Sequence, residues 1–423
     1  MSVDAYFEKA LEVGRPPNIV QLFPNSEALL VSGKVVDRAL KAKGSAMTIA
    51  ANGRNHIIIR GVLEAAQRAD AAVIIEIARS ECNYCPTNFY NIARQVDAVC
   101  NELGVTVPVA IHADHYVIKS EADLPYARME LPSMFEAGVT SVAIDASHMA
   151  DDLNLLANID LCQYIPTWAG LETEVGEIKG AQGLSTVDDA TFLIRGLNAH
   201  GIFADWIALN NGSTHGIESS GQGIQVELTS QIHEALAPYG VSGAQHGTSG
   251  NNSEKLRAIA AGTHTTKANV ATALQMVAWG VEVNDYGNAI IDDAGHFKKI
   301  EGAGLSEELW EEMVAYADAD GVSADNYKWL NLHFEKKIMA QPKPIRERMI
   351  KLVADFSYDL LTNVFNAAGT GAIARKLLVE MDTYDLEAKA EQIEDPAEWT
   401  KEKIIARAKT LVVDKGPEGD FDD

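Results

Sequence analysis

Cysteine is scarce in this chain, with four in 423 residues. That is too few for a small secreted fold stapled by disulfides. Long apolar runs are also missing, and no uninterrupted stretch approaches the ~20 residues of a membrane helix. Positive charge is in deficit: 35 Lys and Arg stand against 60 Asp and Glu, a formal net charge of −25. Non-specific nucleic-acid binding depends on phosphate neutralisation, so this balance argues against it. An anionic ligand would have to be held by local features rather than by the overall field. The first residues, MSVDAYFEKALEVGRPP, show no basic region followed by an apolar run, so no signal peptide is expected. No internal repeat or low-complexity segment is evident. These absences imply a soluble, cytoplasmic protein with neither nucleic acid nor membrane as partner. What is present, 47% hydrophobic and 22% charged residues, is ordinary for a globular chain with a sizeable core.

The middle of the sequence alternates short β-type apolar runs with amphipathic stretches. Eight runs stand out: AMTIAA (46–51), AVIIEIA (72–78), PVAIHAD (108–114), SVAID (141–145), AGLETEVG (169–176), WIALN (206–210), SGAQHG (242–247) and TKANV (266–270). Between them lie helical patterns at 59–69, 89–104, 230–240 and 253–262, the last with Ser253 placed for an N-cap and Gly262 for a C-cap. Such alternation calls for a parallel sheet with helical crossovers. Eight units fit a closed (β/α)8 barrel, with a doubly wound open sheet as the competing architecture. Residues 1–35 read as an N-terminal extension, 36–300 as the barrel and 301–423 as a helical C-terminal extension. In that extension Ser306 and Asp395 look like helix N-caps, 336–351 holds an unusual cluster of Lys and Arg, and the last ten residues are expected to fray.

Reactive groups of such barrels gather at the C-terminal ends of the strands. The third run ends in His112-Ala-Asp114-His115, the fourth in Asp145-Ala-Ser-His148, and the fifth carries Glu172 and Glu174. The sixth leads into Gly212-Ser-Thr-His215-Gly216, the seventh ends in His246-Gly247-Thr-Ser249-Gly250, and the eighth in Lys267-Ala-Asn269-Val-Ala271-Thr272. A lone His at a strand end is usually a hydrogen-bonded structural residue. Imidazoles from three separate strands are instead what a catalytic Zn2+ site uses, with one position open to substrate. Lys267 is a reasonable neighbour for a phosphate or a partner for a rim acid.

These six blocks, in this order, resemble the class II, metal-dependent ketose-bisphosphate aldolases (fructose- and tagatose-bisphosphate aldolases), over roughly residues 36–285. The resemblance implies that His115, His215 and His246 hold a catalytic Zn2+. It makes Asp114 the acid/base, and puts Asp145 and Glu174 beside a second divalent or monovalent cation. Gly216, Gly247, Ser249, Asn269 and Thr272 would line the ketose and its phosphate. The residue types suit the chemistry. Cleaving a ketose beside its carbonyl leaves an enediolate, which a dication stabilises as a Lewis acid, so no Schiff-base lysine is required. Backbone N–H groups of the Gly/Ser loops form anion-binding concavities that work even in an acidic protein.

The sequence departs from the family pattern in places. The glutamate usually carried by a mobile loop aligns with Gln182, which cannot act as a base; Glu177 is the first candidate replacement and Glu172 the second. Ala271 stands where some members carry Asp, a form seen among tagatose-type members. After the second run, Glu81, Cys82, Tyr84 and Cys85 sit on the rim, where Glu81 or Tyr84 could touch substrate and the lone CxxC reads as structural. The basic cluster could reach a distal phosphate across a subunit interface or form a solvated helix face. The expected function is reversible cleavage of fructose 1,6-bisphosphate to glycerone phosphate and glyceraldehyde 3-phosphate. Tagatose 1,6-bisphosphate, another phosphorylated ketose, or a non-catalytic barrel subunit assisting a partner aldolase are the alternatives. A homo-oligomer, dimer or higher, is expected from the resemblance.

Overall fold

In the computed structural model, residues 3–176, 182–213, 223–249, 251–284 and 288–411 are described. Among the described residues nine strands form: β1 (Leu30–Val31), β2 (Thr48–Asn52), β3 (Val73–Ala78), β4 (Val109–Val117), β5 (Ser141–Asp145), β6 (Gly170–Val175), β7 (Trp206–Leu209), β8 (Ser242–Gln245) and β9 (Thr265–Val270). All pairings among them are parallel. The order runs β4-β3-β2-β9-β8-β7-β6-β5, and β5 pairs back to β4. The ring is therefore closed: an eight-stranded (β/α)8 barrel, not an open sheet. The short β1 pairs with the beginning of β4, Leu30 opposite Val109, and extends the β4–β5 seam at its N-terminal end.

All eight anticipated runs are barrel strands. They were visible because a parallel strand is covered on both faces and reads as continuous apolar sequence; every residue of β3, for instance, is buried. The interior is not uniformly apolar. Glu76, His112, Glu172 and Lys267 are each fully buried.

One irregularity shapes the mouth. Between Ala113 and Tyr116 the β4–β5 register shifts by one residue, so β4 bulges at Asp114 and His115. His115 takes a left-handed backbone angle, φ 41°, rare for a residue with a Cβ. A bulge re-aims side chains and is common beside active sites.

The helices cover the outside. His56–Ala69 is capped by Asn55, whose side chain accepts from the Ile58 N–H. Beyond the barrel, the described part of the C-terminal segment is mainly helical, with α-helices at Glu307–Asp320, Leu330–Met339, Lys343–Asp359, Thr370–Met381 and Lys401–Ala408. Lys343–Asp359 lies across His56–Ala69 at Gly61, where an added Cβ would stand 2.6 Å from Val353. The N-terminal helix Val3–Val13 meets Thr370–Met381, and Gly14 faces Leu378. Lys389 pairs with Asp37 and donates to the Asp205 carbonyl and Ser242 hydroxyl, closing the floor of the barrel. No described helix is long and apolar enough to cross a membrane.

The helix caps agree with the sequence expectation in part. Ser306 does cap its helix, but Asn252 rather than Ser253 caps the helix that follows β8, and Thr263 rather than Gly262 ends it. Asn252 offers a side-chain oxygen to the Lys255 N–H, which leaves Ser253 inside the first turn. Asp395 caps only a three-residue 3-10 turn, and the helix Lys401–Ala408 has its own cap, Thr400. The last ten residues lie outside those described. In the basic cluster, Lys337 pairs with Glu312, Lys343 with Glu347 and Lys351 with Asp355, while Arg346 and Arg348 donate to backbone carbonyls. The three lysines are exposed, as on a solvated helix face, while the two arginines tie together backbone of the extension itself.

The Gly61 crossing gives a stability prediction. Gly61→Val should drive a side chain into Val353 and cost about 1–3 kcal/mol, read as a lower denaturant midpoint. An unchanged midpoint would mean that the helix Lys343–Asp359 does not sit this close.

Candidate active site

The bulge in β4 points Asp114 and His115 into the barrel mouth, where the end of β8 supplies His246. The rings of His115 and His246 are 4.2 Å apart, centroid to centroid, and nearly perpendicular. One ligand atom each from Asp114, His115 and His246 lies within 4.8 Å of the others. A second group of the same kind is His115, Asp145 and Glu174. His115 Nδ1 lies 3.3 Å from Glu174 and 3.5 Å from Asp145. Asp145 is steadied from behind, its Oδ1 accepting from the Ser147 N–H and hydroxyl.

The donor set fits a metal ion. His246 Nε2 sits 2.9 Å from Glu172 Oε1, while its Nδ1 is buried with no hydrogen-bond partner among the described residues. With the proton on Nε2, the bond to Glu172 leaves a bare lone pair on Nδ1. A carboxylate behind one imidazole nitrogen and a cation before the other is the usual arrangement of a ligating histidine.

Beneath this pair lies a buried ionic network. Lys267 Nζ reaches Glu172 at 2.8 Å, Glu76 at 3.1 Å and Asp114 at 3.3 Å. Asn269 Nδ2 donates to Asp114 at 3.0 Å. His112 stands between Ser141 and Glu172, 2.7 and 3.3 Å away. Burial alone would raise the pKa of Asp114 and Glu172. The Lys267 ammonium, helped by the imidazoles around each, more than reverses this and holds both below the usual carboxylate range. Glu76 goes the other way, raised by burial and by the charge of Asp114 despite Lys267. Burial opposes a charged His115, yet Asp114, Glu174 and Asp145 prevail and raise its pKa. The site thus favours positive charge at that ring, and a dication can take the place of the proton.

Asp114, His115, His246, Gly247, Ser249, Asn269 and Thr272 all line one cavity. Asp145 and Glu174 stand beside it through His115. Lys267 is not on the wall. It is enclosed by three carboxylates with no exposed surface, so it is an interior counter-ion and not a phosphate neighbour. Glu172 is likewise committed to Lys267, His112 and His246, which removes it as a replacement for the loop acid. His215, Gly216 and Glu177 lie outside the described residues. Gln182 is exposed, and its backbone carbonyl accepts from Asn210. Glu81 does not reach the cavity; it is buried, and holds Asn52 at 2.8 Å and Arg54 at 2.6 Å. Cys82 is a free thiol whose pKa burial pushes up to about 12, and burial pushes Cys85 up as well. A thiol that holds its proton so firmly is a poor nucleophile and metal ligand.

The cavity also includes Asn52, Arg54, Thr248 and Ala271. Asn52 and Arg54 went unnoticed in the sequence, although Asn52-Gly-Arg54 follows the first apolar run just as the other rim residues follow theirs.

The profile of the family described as fructose-bisphosphate aldolase class-II matches residues 33–321. A fructose-bisphosphate aldolase of Staphylococcus aureus strain Mu50 is 30% identical over 132 residues, 31% of this chain and 43% of that protein. The chain therefore matches less than half the length of that relative. One of Streptococcus pneumoniae serotype 4 is 28% identical over 227 residues, covering 51% and 70%. Among solved structures, the YdjI aldolase of Escherichia coli K12 superposes with a TM-score of 0.54 at 17% identity, covering 81% of this chain and 99% of that one. A fructose-bisphosphate aldolase of Campylobacter jejuni gives the same score and identity over 81% and 97%. At this identity the structural likeness speaks for the barrel alone.

Lys267→Met would strand three buried carboxylates. The expected cost is about 3–5 kcal/mol, measured by chemical denaturation. The sign with pH follows. In the parent, the depressed Asp114 and Glu172 contribute stability above their unfolded pKa values, lost as pH falls through the folded ones. In the variant, the folded carboxylates bind protons more tightly than the unfolded ones, so its deficit widens as pH rises. A deficit that narrows with rising pH would contradict the network.

Proposed function

Because the chain belongs to the class-II fructose-bisphosphate aldolase family, whose members are metal-dependent, we propose that it is an aldehyde-lyase with Zn2+ as cofactor. Its reaction would be the reversible cleavage of a phosphorylated ketose. Fructose 1,6-bisphosphate, giving glycerone phosphate and glyceraldehyde 3-phosphate, is the leading substrate. The observation that carries the reading is the convergence of Asp114, His115 and His246, from two strands not adjacent in the ring, within 4.8 Å. His215 is the proposed third imidazole, and Asp145 and Glu174 the neighbours of a second cation. Neutral nitrogen ligands with a flanking carboxylate suit zinc. When bound, such a cation supplies Lewis-acid polarisation of the ketose carbonyl.

The chain's own residues supply the rest. Asp114, kept ionised by Lys267 and oriented by Asn269, takes the proton from the hydroxyl on the carbon that becomes the aldehyde. It returns that proton in the condensation direction. The Gly247–Ser249 loop and the Asn269–Thr272 turn receive the phosphate through backbone N–H groups. Glu177 takes the part of the loop acid and moves the proton at the ketose carbon. Ala271, in place of a carboxylate, favours a second reading, in which tagatose 1,6-bisphosphate or another phosphorylated ketose is the preferred substrate. A non-catalytic barrel is disfavoured, because a scaffold gains nothing from burying Lys267 among three acids at the desolvation cost such groups carry. The family also suggests a cytoplasmic homo-oligomer.

His246→Ala, or His215→Ala, should remove both bound zinc and ketose-bisphosphate cleavage, followed by metal analysis and a coupled assay with and without chelator. Full activity in either variant would end the metal assignment. Glu177→Gln should slow proton exchange on glycerone phosphate by about 100-fold while zinc stays bound. Exchange at the parent rate would place the base elsewhere.

A further inference from the structure

Arg54 is a buried cation on the cavity wall. It follows β2 directly, is 1% exposed and lines the cavity together with Asn52, Ala271 and Thr272. Two of its three nitrogens are committed. Nε donates to Glu81 Oε1 at 2.6 Å, and Nη1 to Gln275 Oε1 at 2.9 Å. Nη2 makes no hydrogen bond among the described residues. Glu81 is itself saturated, its Oε2 accepting from Asn52 Nδ2 and the Ala78 N–H. The guanidinium therefore cannot swing to pair more fully with Glu81 without breaking other bonds.

Gln275 belongs to the first turn of the helix Thr272–Trp279, whose start is part of the cavity wall. Gln275 Oε1 also accepts from Asn331 Nδ2 at 2.8 Å, and Asn331 Oδ1 accepts from Asn55 Nδ2 at 2.9 Å. The C-terminal extension thus reaches the rim and fixes the residue that fixes Arg54. On the wall of the same cavity position 271 is Ala, so no carboxylate there competes for the guanidinium.

From this arrangement we infer that Arg54 anchors the phosphate of the glycerone-phosphate portion of the substrate, and that Asn331 positions it through Gln275. A planar guanidinium with one open nitrogen beside a helix N-terminus and the Gly247–Ser249 loop provides charge where backbone N–H groups alone would face a phosphate dianion in a chain of net charge −25. This rests on the aldolase reading, but it is tested by binding rather than turnover. A purely structural Arg54–Glu81 staple would leave phosphate affinity unmoved.

The experiment titrates zinc-loaded, full-length protein with inorganic phosphate by calorimetry, and separately measures KM for each product in the condensation direction. Arg54→Met alone would leave Glu81 buried and unpaired, so the principal variant is Arg54→Met with Glu81→Met. Its phosphate affinity should fall about 10- to 100-fold, as expected for losing a charge-assisted hydrogen bond. KM for glycerone phosphate should rise in parallel while zinc content and KM for glyceraldehyde 3-phosphate hold. Arg54→Lys, which keeps a charge beside Glu81 but loses the fork, should fall between variant and parent. Asn331→Leu should raise KM for glycerone phosphate by a smaller factor without lowering kcat. Phosphate affinity within twofold of the parent in a folded, zinc-bearing Arg54 variant would overturn the proposal. So would a rise confined to KM for glyceraldehyde 3-phosphate. Loss of zinc binding or cleavage in the parent would count against the aldolase reading and leave the phosphate titration to decide on Arg54.

Discussion

A single ammonium group organises the centre of this barrel. Lys267 lies where β9 faces β3, β4 and β6 across the interior, and it meets a carboxylate from each of those three strands. Because it is out of water, its charge is screened less than a surface charge would be. It keeps Asp114 and Glu172 ionised in surroundings that would otherwise protonate them. An ionised Asp114 is a base at the mouth. An ionised Glu172 fixes the ring of His246 and leaves its other nitrogen buried without a hydrogen-bond partner among the described residues. The proposed acid/base and one proposed metal ligand are thus both held by one buried cation, whose three carboxylate partners account for a lysine in the core.

The second constraint is in the backbone. One extra residue in β4 bends the strand and turns His115 to a left-handed angle. Asp114 and His115, adjacent in sequence, would point to opposite sides of a regular strand. The bulge lets both take part in one cluster. Strain of this kind persists only where the surroundings hold it, and the ion pairs of His115 with Asp145 and Glu174 are the restraint.

Much of this was legible beforehand, for identifiable reasons. The strands were readable because their two covered faces make them apolar throughout. The rim histidines were readable because they follow those runs. Closure of the ring was not, since it depends on β4 pairing with β5 across the seam, which leaves no mark in either strand alone. For Lys267 the sequence leaves a phosphate neighbour and a partner for a rim acid both open, because a strand-end position does not say whether a long side chain rises to the rim or turns inward; the ion pairs with Asp114 and Glu172 bear out the second. Glu172, the second candidate for the loop acid, and Glu81, one of two residues that could touch substrate, stay open in the sequence for the same reason: the partners that engage them, His246 and Arg54, come from other segments. Arg54 itself was passed over, although its place after the first run gave the same signal as its counterparts. The reach of Asn331 into the rim could not have been anticipated, because a helical extension shows its amphipathic face and not what it covers.

The central claim is that a divalent ion bound by this chain sits between His115 and His246. Anomalous scattering at the zinc edge, recorded from crystals of the zinc-loaded protein, tests it directly. The account predicts a peak about 2.0–2.1 Å from a nitrogen of each ring, with His246 Nε2 still facing Glu172. A peak elsewhere, at Cys82 and Cys85 for example, or rings turned away from any ion, would contradict it.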